Sequence, residues 1–283
     1  MNAKYHWFRW LCGAAAFLAL AFAVGWFYED VVKPARHAAM CKIHIKQLLT
    51  ALHAYHDRHQ CFPPAYTVGS DGERWHSWRV LLLPDLGEQN LYDAYRFDEP
   101  WNGPYNAPLG QRMPAVFGFS GEPHAKFLAV TRRHTAWPNY LSSRIPEFTD
   151  GLSNSILLVE SADSEVNWLE PRDIPYGLAV KRREAAVGPR LVGRFGGTTV
   201  GLADGRVRPF PESFEKRLLA SILTVGSTGE NLLPERNGEP LPPQAFPPQR
   251  ESSLFAMTDV LPYPSMPLSH GRNYLYCATF RIA

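Results

Sequence analysis

From Trp10 to Tyr28 the chain reads WLCGAAAFLALAFAVGWFY, nineteen residues with no charge and no proline. At about 1.5 Å per residue, a helix of this length crosses the roughly 30 Å of hydrocarbon in a bilayer. Trp7, Trp10, Trp26 and Tyr28 bracket the run, where amphipathic rings prefer the membrane interface. Lys4 and Arg9 precede it; Glu29 and Asp30 follow it. The positive-inside rule then predicts a cytoplasmic N-terminus over 1–9, a single-pass transmembrane anchor over 10–28, and an extracytoplasmic bulk. A signal peptide cut after Ala21-Phe22-Ala23 is the competing reading. The apolar run continues to Phe27 and a helical pattern follows it, which favours an uncleaved anchor. Either way the remainder is exported. Cys12 follows Leu11 rather than a small residue, which weighs against a lipid-modified N-terminus.

Charge excludes one class of partner. Of the 29 basic residues, Lys4 and Arg9 precede Glu29; the other 27 match the 27 acidic residues. A balanced ectodomain has no long-range pull on nucleic acid. The partners expected are the membrane, and protein partners or further copies of the chain.

Beyond the anchor, Ala38, Cys41, Ile45, Leu48, Leu49, Leu52 and Tyr55 recur at steps of three and four, one face of an amphipathic helix. Lys33-Pro34 marks a brief interruption or a first-turn proline. Cys61-Phe62-Pro63-Pro64 ends the helix, because a residue before proline avoids the helical region. Short helices are expected at Trp78–Leu83 and Glu88–Tyr95, with loop chemistry from Glu99 to Asn106. Strands are expected at Val116–Phe119, Ala125–Val130 and Ser155–Val159. Asp204-Gly205 between Thr198–Ala203 and Arg206–Phe210 predicts a hairpin with positive φ at both turn residues. Ser213–Leu223 reads as a helix. Six of the fifteen residues from Pro234 to Pro248 are proline, an extended arm rather than a core. Tyr274–Ile282 alternates as a last strand would. The fold class is α+β: one transmembrane helix continuing into a long amphipathic helix packed on a mostly antiparallel sheet. The ectodomain spans 29–229 and a Pro-rich C-terminal extension spans 230–283.

Several motifs occur in one order: Cys41-Lys42 with Lys46-Gln47, LTALHAYHDRH over 49–59, Phe62-Pro63-Pro64, HSWRVLLLP over 76–84, and Glu88-Gln89-Asn90-Leu91-Tyr92. Asp98-Glu99-Pro100-Trp101, Thr149-Asp150-Gly151 with Ser153-Asn154, Trp168 with Glu170-Pro171-Arg172-Asp173, and Ala203-Asp204-Gly205 continue the series. Together they resemble a bacterial domain-of-unknown-function family described as pseudopilin-like or PulG-like, over about 35–229. The resemblance implies the pseudopilin build, periplasmic exposure, and a role in a type II secretion-like or pilus-like assembly.

The chain departs from the family pattern in three places. Gly13 is followed by Ala14-Ala15-Ala16-Phe17 rather than a prepilin signal with its glutamate. The family's histidine, nine residues before Asp-Gly, falls on Arg194. A second cysteine is missing near Phe119-Ser120, so the disulfide the family would make with Cys41 cannot form. Read from the residues alone, Cys41 and Cys61 lie nearly 30 Å apart along one helix at about 1.5 Å per residue. A bridge from Cys277 to either stays open.

Two ligand sets stand out. His53, His56 and His59 follow one another at three-residue steps near a helix end, a spacing that can present imidazoles to a metal; a solvated helix terminus is the plainer reading. Asp150, Asn154, Glu160 and Asp204 are oxygen donors near turns, which suits calcium; turn chemistry is the plainer reading. Calcium is the only cofactor these residues suggest. Neither G-x-S-x-G nor H-E-x-x-H occurs. Glu170 and Asp173 beside Trp168 are the one carboxylate pair suggestive of hydrolysis. The chain is therefore expected to be non-catalytic, with an anchored glycan- or protein-binding module as the alternative. Trp75, Trp78, Trp101, Trp137 and Trp168 either line a groove or fill a core.

Overall fold

The structure, a computed structural model, describes residues 3–181, 191, 193–195, 197–210 and 216–226. The Pro-rich arm, the Tyr274–Ile282 strand and Cys277 lie outside the described residues.

Helix α1 (Ala3–Phe27) passes through a five-residue π-turn, Tyr28–Val32, into helix α2 (Lys33–His59). The wide turn has an identifiable cause. Pro34 has no N–H, and its ring crowds the carbonyl four residues back, so a regular turn cannot close. Instead the Lys33 N–H reaches back five residues to the Tyr28 carbonyl. Glu29 and Lys33 pair across this turn at 2.8 Å. The apolar part of α1 is open along its whole length: Phe17 is 70%, Leu18 67% and Phe22 77% exposed. A continuous helix, Trp10–His59, thus begins with a segment long and apolar enough to cross a membrane.

Helix α2 is amphipathic. It buries Cys41, His44, Ile45, Leu48, Leu49, Ala51, Leu52 and His56. The buried face begins at His37 and Cys41; Ala38, expected on that face, points to solvent. Gln60 takes the left-handed conformation (φ 60°) and stops the helix.

A hairpin, β1 (Tyr66–Val68) and β2 (Arg74–Ser77), follows. Two short helices, α3 (Trp78–Leu81) and α4 (Gln89–Ala94), flank a 3-10 turn, Leu83–Leu86. The helix expected over Trp78–Leu83 thus ends at Leu81, and Leu83 opens the 3-10 turn that holds Pro84. Val116–Phe119 is not a strand. Ala115–Phe117 forms a 3-10 turn behind Pro114, whose fixed φ favours a turn over extended pairing.

The main sheet joins β3 (Phe127–Leu128), β5 (Ile156–Glu160), β7 (Thr198–Leu202) and β8 (Val207–Phe210) in the order β3-β5-β7-β8, antiparallel throughout. Two further short strands, β4 (Val130–Thr131) and β6 (Ile174–Pro175), pair in parallel beside it. A six-residue helix, α5 (Tyr176–Lys181), follows, and α6 (Lys216–Leu223) is the described part of the helix expected from Ser213. The fold is α+β, with α2 laid across β5, β7 and β8. Gly201 makes the closest approach: a Cβ there would sit 2.6 Å from Ile45 Cγ2 and 3.0 Å from Leu49 Cδ1. All five β5 residues are buried, which fits its apolar, unalternating sequence.

The β7–β8 turn has three residues rather than two. The Gly205 N–H bonds the Leu202 carbonyl and the Leu202 N–H bonds the Arg206 carbonyl, at 2.9 and 2.8 Å. Only Gly205 takes positive φ, at 82°, as a type I turn closed by a left-handed residue requires. Asp204 stays in an ordinary conformation because its side chain bonds the Arg206 N–H at 3.0 Å.

Candidate functional site

The aromatic residues divide between core and surface. Trp78, Trp137 and Trp168 are fully buried, with Trp78 5.2 Å from Trp137 and Phe117 stacked on Trp168 at 6.0 Å. Each buried indole N–H has an acceptor: Asp173, the Leu157 carbonyl and the Gly110 carbonyl. Trp75 and Trp101 are half-buried.

Below this cluster lies a sealed ion pair. Arg79 Nη2 donates to Asp173 Oδ1 at 2.7 Å, and neither side chain is more than 2% exposed. Asp173 also accepts from the Ala129 N–H at 2.8 Å and from Trp78 Nε1. Burial pushes its carboxyl up, and Arg79 and these donors oppose that. Glu170, the other carboxylate of that segment, pairs with Arg172 at 2.7 Å. Both acids are thus engaged by arginine.

The motif turns meet each other. The Asp204 N–H bonds the Leu152 carbonyl at 3.2 Å, and the Ala203 N–H bonds the Ser155 carbonyl at 2.8 Å. Gly151 takes φ 90°. Asn154 Nδ2 donates to the Asp150 carbonyl at 2.9 Å, and Thr149 bonds the Val225 carbonyl through its N–H at 2.9 Å. Ser153 lies in the 3-10 turn Leu152–Asn154. Asp204 is ion-paired with Arg206, and Lys46 of α2 donates to the Gly205 carbonyl at 2.8 Å. The Thr149–Asn154 and Asp204-Gly205 motifs therefore form one docked pair of turns that anchors α2. Glu160 stands at the far end of β5, six residues of extended chain from Asn154, or about 20 Å at 3.3 Å per residue. It shares no site with the turn residues.

Of the three histidines, His53 and His56 flank Phe62, with ring centroids at 5.7 and 4.9 Å. His59 packs on Tyr55 at 4.2 Å. Burial draws both His56 and His59 below the ordinary imidazole range. The positive charge at this helix end comes from Arg58, which pairs with Asp85.

One group that spacing did not suggest does converge. Among the described residues, His37, Cys41 and Glu160 are the single set of three or more His, Cys, Asp and Glu side chains whose ligand atoms lie within 4.8 Å of one another. His37 and Cys41 are one turn apart on α2, and Glu160 closes β5. His37 Nε2 lies 2.7 Å from Glu160 Oε1. Glu160 Oε2 accepts from the Thr199 N–H at 3.1 Å. Burial works to raise the Glu160 carboxyl; the hydrogen bond and charge of His37, with the Thr199 donors, outweigh it and hold the group below the usual carboxylate range. Burial and the neighbouring Glu160 charge push the Cys41 thiol far up. Phe119 packs on His37 at 4.5 Å. Arg194 pairs with Glu122 at 2.6 Å.

Residues 33–117 match a family described as a protein of unknown function (DUF1559). The match covers α2 through the Ala115–Phe117 turn. It includes His37, Cys41 and Arg79, while Glu160, Asp173 and the docked turns lie beyond it. No curated protein and no solved structure matches the chain.

Proposed function

We propose that this is a single-pass membrane protein with its N-terminus in the cytoplasm and its folded domain outside, a non-catalytic pseudopilin-like component that works by protein contacts. The observation that carries the reading is the wholly exposed apolar helix running without a loop into α2. Exposed apolar surface on that scale marks a membrane or protein contact, and the continuous helix ties the anchor's direction to the domain. The flanking charges, Lys4 and Arg9 against Glu29 and Asp30, give the orientation. The engagement of Glu170 and Asp173 by Arg172 and Arg79 supports a non-catalytic role.

Self-assembly is favoured over a lone binding module by one feature. Val32 at the end of the π-turn and Met40 and Ile43 on α2 extend exposed apolar surface beyond the first helix, at 38%, 38% and 51% exposure. Size analysis of the detergent-solubilised full chain, beside a chain lacking residues 1–28, tests this. Oligomers that require the anchor support assembly. A monomer in both forms, even at high protein concentration, rejects it in favour of the binding module.

A further inference from the structure

His37, Cys41 and Glu160 offer a nitrogen, a sulfur and an oxygen from two elements that approach nowhere else so near the anchor. These are the three ligand types zinc accepts, at about 2.0–2.3 Å each. Tetrahedral bonds of that length separate ligand atoms by about 3.3–3.6 Å, and all three atoms already lie within 4.8 Å of one another. The shortest separation, 2.7 Å between His37 Nε2 and Glu160 Oε1, must open by roughly 0.6 Å to admit an ion. We propose that His37, Cys41 and Glu160 form a zinc site that fastens the membrane-proximal turn of α2 to the end of β5.

The surroundings fit a structural or regulatory site better than a nucleophile. His37 Nε2 is engaged by Glu160 Oε1 at 2.7 Å, so the imidazole is not placed to take the Cys41 proton. Cys41 is completely buried, whereas the His37 side chain is 12% exposed. Phe195, 43% exposed, packs edge-on to His37 at 5.2 Å. The imidazole edge is therefore the way in, and water completes the fourth position. The set is distinct from His53, His56 and His59, and it holds whether or not the chain assembles.

The test uses the full chain in detergent, stripped with a chelator and dialysed against zinc chloride, with bound metal counted and thermal unfolding followed. Wild type is expected to hold one zinc per chain and to melt higher with zinc than without, as a ligand specific to the folded state requires. Cobalt is expected to give a thiolate charge-transfer band. Cys41→Ser keeps a hydroxyl for Glu160 and Thr199 and removes the soft ligand. It should lose the band and weaken zinc binding at least tenfold. His37→Gln leaves every cysteine in place and should weaken binding comparably, which guards against a folding defect in the cysteine variant. His59→Asn should bind as wild type does. No zinc on wild type, binding by Cys41→Ser and His37→Gln as tight as wild type's, or Cys41 recovered in a disulfide overturns the proposal.

Discussion

Lowering the pH from 7 to 5 should destabilise the folded domain through His76. This residue is completely buried. Its Nδ1 lies 2.7 Å from the Tyr95 hydroxyl, and its ring packs edge-on against Tyr95 and Phe97 at 5.4 and 5.2 Å. Burial disfavours the imidazolium and lowers its pKa to about 4, with only a backbone contact to Phe97 opposing. In the unfolded chain the same group titrates near its ordinary value of about 6.5. The folded state thus binds fewer protons between these values. Stability is fully present above pH 6.5 and is lost as pH falls towards 4. Down to pH 5 the loss is about 1.5 units at 1.36 kcal/mol per unit, or roughly 2 kcal/mol. By pH 4 it approaches about 3 kcal/mol. Glu160, held below the usual carboxylate range, is also lost with falling pH but acts lower, below the unfolded carboxylate value of about 4.3. The assay is urea unfolding of the full chain in detergent at pH 7, 6 and 5, followed by tryptophan fluorescence. His76→Asn removes the titration and retains a polar group for Tyr95. It should be less stable at pH 7 and lose about 2 kcal/mol less than wild type between pH 7 and 5. Parallel losses in the two proteins would refute the reasoning and place the acid-sensitive group elsewhere.

Other expectations follow from particular contacts. Gly201→Val drives a branched side chain into Ile45 and Leu49, and should cost about 1–3 kcal/mol in chemical unfolding. Asp173→Ala strands a buried guanidinium and should cost about 3–5 kcal/mol; replacing Arg79 and Asp173 together by methionine and leucine should recover much of that. Trp137→Ala opens a cavity between the sheet and the aromatic cluster, with an expected loss of about 3–5 kcal/mol read as a lowered melting temperature. Gly205→Val places a branched residue at φ 82° and should loosen the contact with Lys46, detectable as faster hydrogen exchange in the β7–β8 turn.

Much of this architecture is local enough to read along the chain. The α2 face from Cys41 to Leu52, the stop after His59, the apolar Ile156–Val159 run of β5 and the Asp204-Gly205 hairpin each follow from spacing and turn chemistry within a few residues. Where local rules competed, the details shifted. Ala38 has the right period but is exposed. Val116–Phe119 is apolar enough for a strand, yet Pro114 directs it into a turn. The trio of His37, Cys41 and Glu160 is hidden for a different reason. His37 and Cys41 are visible as a helical i, i+4 pair, but Glu160 lies 123 residues from His37 and reaches it only through strand pairing. The same holds for Arg79 and Asp173, 94 residues apart. Periodicity reports which face is buried; it does not report which distant residue waits there. The His53, His56 and His59 series was conspicuous because its members are close in sequence, while the helix directs them to Phe62 and Tyr55 instead of to one point.

Whether the apolar helix holds the folded domain in a membrane is read from intact mass and partition of the protein after alkaline extraction of membranes from the cells that make it. The expected species has a mass of 31.9 kDa, stays with the lipid, and has a folded domain digested by protease added from the extracytoplasmic side alone. A soluble species beginning near Val24 would contradict it, showing that the first helix is a signal removed on export.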